Sequence, residues 1–157
     1  MSITIYTDGS AKGNPGNGGY GIVMISGNHR KEISEGFRIT TNNRMELLAV
    51  IIALEKVKKP KSDITIYSDS KYVVDSVKKK WVFNWKKNNF KKKKKPDLWI
   101  RFLKVYKRHN VSFVLIKGHS NNTENDRCDT LAVKAAESKN LKKDNWYEKT
   151  SDPKLLF

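Results

Sequence analysis

Two short stretches of this chain end alike. Ile3-Thr4-Ile5-Tyr6-Thr7-Asp8 and Ile64-Thr65-Ile66-Tyr67-Ser68-Asp69 are runs of β-branched and aromatic residues that stop at an Asp, with Ser10 and Ser70 close behind. If the runs are adjacent parallel strands in register, the two carboxylates leave the same end and face of the sheet, about 4.8 Å apart. Carboxylates that close repel, and are reconciled by sharing a proton or a cation. Oxygen donors with no His or Cys beside them suit Mg²⁺ or Mn²⁺. Taken singly, such an Asp more often caps a turn or a helix. The matched pair carries the metal reading.

Other groups fit the same chemistry. In Thr41-Asn42-Asn43-Arg44-Met45-Glu46, helical spacing puts Glu46 on one face with Asn42 and Asn43. Glu46 then either complements the helix N-terminus or supplies a third metal carboxylate, with amides beside it for a substrate. Further on, a Gly/Ser/Asn loop holds His119 and leads into a helix on which Asp126 and Asp129 share a face. A His in a polar loop beside carboxylates suits proton transfer; spacing does not choose between the two Asp residues. The glycine-rich stretch Gly13-Asn14-Pro15-Gly16-Asn17-Gly18-Gly19 lacks the dinucleotide fingerprint and the Walker lysine. It reads as a tight turn into a hairpin.

The elements that must position these groups follow from periodicity. Residues 2–7, 20–25, 31–39, 63–68 and 111–116 read as strands, and residues 8–21 as a loop. Residues 42–57 form the clearest helix, with Met45, Leu48, Ile51, Ile52 and Leu54 near a 3.6 period and Pro60 just beyond. Further helices are predicted over 71–77, 97–109 and 124–138. Right-handed crossovers then give an α/β fold: a mixed five-stranded sheet, strand 2 antiparallel, with helices on both faces. One domain spans 1–140, and 141–157 is expected to be a partly disordered tail.

The chain has 157 residues and a formal net charge of +16. That excess points to an anionic partner, nucleic acid ahead of a membrane surface. Lys outnumbers Arg 26 to 6, which favours tracking phosphates over reading base edges. Residues 78–95 hold ten Lys and no acid, interleaved with Trp81, Phe83, Trp85 and Phe90. They read as a basic protrusion in which Trp81 and Trp85, four apart, anchor a short helix. Cys128 is the single cysteine. With no apolar leader visible, a reducing, cytoplasmic setting is expected. Nothing demands more than a monomer.

Together these motifs resemble the type 1 ribonuclease H family. The resemblance rests on Thr7-Asp8-Gly9-Ser10 with Gly13-Asn14-Pro15-Gly16, Thr41-Asn42-Asn43-Arg44-Met45-Glu46-Leu47, Tyr67-Ser68-Asp69-Ser70-Lys71-Tyr72-Val73, Asn84-Trp85-Lys86-Lys87, and Lys117-Gly118-His119 with Glu124-Asn125-Asp126-Arg127-Cys128-Asp129. It implies a ribonuclease H-like fold and hydrolysis of the RNA strand of RNA–DNA hybrids to 5′-phosphate products. It further implies a two-metal Mg²⁺ site of Asp8, Glu46, Asp69 and Asp129, with Mn²⁺ a possible substitute, and so selects Asp129 over Asp126. His119 would assist proton transfer or product release. Asn14, Asn42 and Asn43 would contact the nucleic acid, chiefly RNA 2′-hydroxyls, and Thr41 a DNA phosphate. Lys71 stands where the family often has Gln, which would replace a base or ribose contact by a charge contact. Trp81, Trp85, Lys86 and Lys87 would grip substrate from the protrusion. The runner-up is a non-catalytic hybrid- or double-stranded-RNA-binding module; a related nuclease for DNA junctions ranks third.

Overall fold

The two echoing runs are neighbouring parallel strands. Ile3 pairs with Ile64, Thr4 with Thr65, Ile5 with Ile66, Tyr6 with Tyr67 and Thr7 with Ser68, so the repeated sequence is itself the register. A computed structural model describes residues 2–91, 95–117 and 122–151. The chain runs β1 (Ser2–Lys12), β2 (Gly16–Ser26), β3 (His29–Thr40), α1 (Asn42–Lys56), β4 (Asp63–Ser68), α2 (Lys71–Lys78), α3 (Trp81–Lys87), α4 (Pro96–Tyr106), β5 (Asn110–Leu115), α5 (Thr123–Ala136) and α6 (Asn145–Ser151). One sheet has the order β3-β2-β1-β4-β5. β2 is antiparallel to both neighbours, and β1, β4 and β5 are parallel. This is the expected mixed α/β sheet.

Alternation along β1 sends Ile5, Thr7 and Gly9 to one face and Tyr6 and Asp8 to the other. α1 packs on the first face and α5 on the second, both at very close range. A Cβ at Gly9 would collide with the backbone of Glu46, and one at Gly21, the partner of Asp8, with the Cys128 carbonyl. α1 is buried continuously from Arg44 to Ile51, as a helix must be when the sheet covers one side and α4 another. Among the described residues, no helix is long and apolar enough to cross a membrane.

Two expectations need correction. Residues 8–21 are not a loop: β1 continues to Lys12 and β2 begins at Gly16. Glycine is a weak strand former that hides the alternation, yet here its bare backbone admits the helices. Within the expected C-terminal tail, residues 141–151 contact the sheet. Lys142 bridges to β3, its N–H donating to Gly36 O and its carbonyl accepting from Arg38 N, at 2.8 and 2.9 Å. α6 follows, with Glu148 paired to Arg38 at 2.7 Å. Residues 152–157 lie outside the described residues. Finally, Trp81 does not anchor α3, because it is 41% exposed. The anchor is Val82, fully buried, with Trp85 edge-on to buried Trp99 at 5.6 Å.

Candidate active site

Asp8 leaves β1 beside β4, and Asp69 follows the last residue of β4 by one. Carboxyl ends of parallel strands are where open α/β sheets place their ligand sites. Glu46 arrives from α1, whose start rests on Gly9. Carboxylate oxygens of Asp8, Glu46 and Asp69 all lie within 4.8 Å of one another. Asp129, on α5, interacts with the Asp8 carboxyl. The four acids line one cavity of about 440 Å³ together with Asn42, Asn43 and Lys71.

The electrostatics follow from crowding in a partly dry place. Burial, and then the Asp69 charge, push Asp8 up to about pKa 8. Burial raises Glu46 well above the usual carboxylate range, reinforced by the charges of Asp8 and Asp69. Among the described residues no Lys, Arg or His forms an ion pair with any of these acids. Glu46 is 6% exposed, and its Oε1 has no hydrogen-bond partner among the described residues. Nor does Glu46 serve as a cap. Thr41 does that, accepting from Arg44 N at 3.3 Å. A buried, unpaired acceptor among mutually repelling carboxylates fits a shared divalent cation.

The remaining expected residues divide by place. Asn42 and Asn43 are exposed on the cavity wall. Asn14, in the β1–β2 turn, accepts from Asn42 N at 3.1 Å and so ties that turn to the start of α1. Lys71 opens α2 beside Asp69. Trp81, Trp85, Lys86 and Lys87 belong to α3 and lie outside the cavity lining. His119 lies outside the described residues.

Two features escaped the sequence reading. Asn125 is buried in the cavity wall, its Oδ1 unpartnered among the described residues; it sits four residues before Asp129, a spacing that could have flagged it. The second is a buried ion network. Arg44, 3% exposed, holds Asp97 at 2.7 and 3.0 Å and Asp144 at 2.8 and 3.0 Å, with its guanidinium 5.0 Å from the Trp146 ring centre. It joins α1, α4 and the C-terminal segment, whose partners lie 53 to 100 residues apart. No local pattern reports such a contact.

Comparison with known proteins shows the family. A Ribonuclease H of Trichodesmium erythraeum is 50% identical over 151 residues, covering 93% of this chain and 96% of that one. A Ribonuclease H of Desulforamulus reducens is 54% identical over 144 residues, covering 88% and 90%. Among solved structures, LC11-RNase H1 in complex with RNA/DNA hybrid superposes with a TM-score of 0.63 at 29% identity, covering 86% of this chain and 96% of that one. With its residues 1–137 matching the RNase H family, this chain belongs to that family.

Proposed function

We propose that the chain is an endoribonuclease that hydrolyses the RNA strand of RNA–DNA hybrids, using two divalent cations, Mg²⁺ or Mn²⁺ in its place, held by Asp8, Glu46, Asp69 and Asp129. The observation that carries this reading is the cluster of three carboxylates within 4.8 Å, with the buried Glu46 Oε1 left unpaired. A module that only binds nucleic acid gains nothing from burying repelling acids.

In the reaction, water adds to phosphorus and the bond from phosphorus to the RNA 3′-oxygen breaks. The products are a 3′-hydroxyl and a 5′-phosphate. Divalent cations in such a site neutralise the phosphate and acidify the attacking water. The chain's own groups do the rest. The acids fix where positive charge can sit. Asn42 and Asn43 present amides from the wall to the RNA 2′-hydroxyls, which distinguish RNA from DNA. Asn14 and Thr41 hold the start of α1 in place and add contacts of their own. Lys71 takes a phosphate beside Asp69. Trp81, Trp85, Lys86 and Lys87 grip the hybrid at a point outside the cleft, and His119 assists proton transfer or product release. We place the chain as a monomer in a reducing cytoplasm, consistent with its single, buried cysteine.

A metal-dependent cleavage assay on an end-labelled hybrid, with duplex DNA and duplex RNA as controls, tests this. Cleavage of the hybrid RNA alone is expected, abolished by chelation. Tight hybrid binding without cleavage would favour the non-catalytic module, and cleavage of branched DNA the junction nuclease.

A further inference from the structure

α4 runs from the cavity towards the opposite end of the sheet. Asp97, in its first turn, binds Arg44 at 2.7 and 3.0 Å, next to the cavity residue Asn43. Midway, Arg101 binds Glu55, near the end of α1, at 2.6 and 2.7 Å. Past the last turn, the Arg108 carbonyl accepts from Lys61 N, just before β4, at 2.8 Å. From Pro96 to Arg108 the helical rise spans about 18 Å. Positions 100, 101, 104, 107 and 108 recur at helical spacing and are all exposed. They are Ile100, Arg101, Lys104, Lys107 and Arg108, and exposed Lys61 stands beside the last. No acid interrupts the row.

Arg101 is committed to Glu55. Lys61, Lys104, Lys107 and Arg108 form no ion pair among the described residues. Asp63, two residues from Lys61, is engaged by the Asn110 amide at 3.1 Å. The last carbonyls of α4 carry partial negative charge, and Lys104 in the last turn answers it. Lys61, Lys107 and Arg108 are left over. Neighbours on a helix face stand about 5–6 Å apart, so the row offers cations in line, as a nucleic-acid strand offers phosphates. Lysine-dominated rows follow a backbone without reading its bases. Two observations favour a single strand here. Ile100 is 44% exposed on the same face, and an unstacked base can lie against it where a paired base cannot. The Lys-rich residues 78–95, assigned above to substrate grip, lead straight into α4 at its N-cap Lys95, so the row continues that segment.

We propose that the outer face of α4, with Lys61, holds the phosphodiester backbone of a single strand that runs on from the end of the hybrid, an inference that rests on the hybrid-cleaving activity proposed above. Substrates flanked by single-stranded DNA or RNA are then bound more tightly than blunt hybrids, and the carboxylate cavity is left free for the duplex.

The test uses the full chain and fluorescein-labelled hybrids, blunt or extended at one end by single-stranded DNA or by single-stranded RNA. Binding is read by fluorescence anisotropy in EDTA, and cleavage is followed separately in Mg²⁺. An extension of at least one kind should lower Kd roughly tenfold relative to the blunt hybrid, which is about 1.4 kcal/mol. It should also steepen the log–log salt dependence by roughly 2–3, at about 0.7 per neutralised phosphate of a single strand. Lys61→Asn combined with Lys104→Ser, Lys107→Ser and Arg108→Ser should remove both gains, while binding and cleavage of the blunt hybrid stay unchanged. Asn is chosen at residue 61 because its φ is +57°, a conformation Asn tolerates. Ile100→Ser should weaken binding of the extended hybrid without changing its salt slope. Equal Kd for blunt and extended hybrids, or an equal loss of affinity for both in the fourfold variant, would overturn the proposal. Failure of the wild type to cleave the blunt hybrid would instead strike the activity itself, on which the binding measurements in EDTA do not depend.

Discussion

Arg44 and Asp144 face each other through two hydrogen bonds, 2.8 Å from Nε to Oδ2 and 3.0 Å from Nη2 to Oδ1. Arg44 stands next to Asn43 and two residues before Glu46. The pair therefore fastens the C-terminal segment to the stretch of α1 that faces the cavity. Removing one partner of a buried pair costs about 3–5 kcal/mol. Asp97 keeps part of the guanidinium satisfied, so Asp144→Ala should cost about 3 kcal/mol, the low end of that range. At 2–4 °C per kcal/mol that is a Tm lower by roughly 6–12 °C in a thermal melt. A shift below about 2 °C would mean that the pair adds nothing net.

Asp8 ties stability to pH in the metal-free protein. Its pKa near 8 in the fold stands against about 3.9 in the unfolded chain. Between those values the folded state holds more protons, so this site's contribution to stability falls as pH rises from about 4 to 8. Asp8→Asn removes that slope. In EDTA, the Tm of the variant relative to wild type should climb from pH 5 to pH 8, while hybrid cleavage is nearly abolished. Asp69→Asn should likewise abolish cleavage and relieve repulsion. Turnover near wild type in Mg²⁺ from either variant would sink the metal assignment.

Asp126 and Asp129 both line the cavity, but Asp129 is the one that interacts with the Asp8 carboxyl. Asp129 is also exposed, which makes it the most peripheral of the four acids. Steady-state kinetics should show Asp129→Asn impaired yet measurable, Asp126→Asn close to neutral and Glu46→Gln inactive. Greater damage at Asp126 would reverse the assignment.

Residues of α3 should separate folding from grip. Val82→Ala deletes two buried methyl groups, a loss of about 2 kcal/mol with its cavity term, visible in urea denaturation. Trp81→Ala should leave stability within about 0.5 kcal/mol, as for other exposed sites, while raising KM. Lys86→Ala with Lys87→Ala should raise KM at nearly constant kcat and flatten the salt dependence of binding by roughly 0.7–0.9 in log–log slope per lost phosphate contact. An unchanged slope with lower kcat would show that these lysines support the cavity instead.

Much of this was legible in the chain because it was encoded locally. The repeat ending at Asp8 and Asp69 is both the strand register and the reason two carboxylates meet. The periodicity of residues 45–54 marked α1. What escaped was written in other terms. The strands through Gly16, Gly18, Gly19 and Gly21 carry no side chains to alternate. α6 and Asp144 just before it are held by Arg38 and Arg44, 110 and 100 residues earlier, through polar contacts that have no period. Trp81 and Trp85 look equivalent by spacing, yet among the described residues only the second finds a buried ring to meet.

The bare backbone at Gly9 and Gly21 divides the cavity into a stiff half and a compliant half. β1 has no deformable layer between itself and either helix at the level of Asp8, and close-packed backbone transmits displacement instead of absorbing it. Asp8 and Glu46, both buried, therefore cannot retreat from an ion of larger radius. Adjustment falls to half-buried Asp69 and exposed Asp129. In the metal site proposed above, the first pair would set discrimination between ions of different size, and the second tolerance.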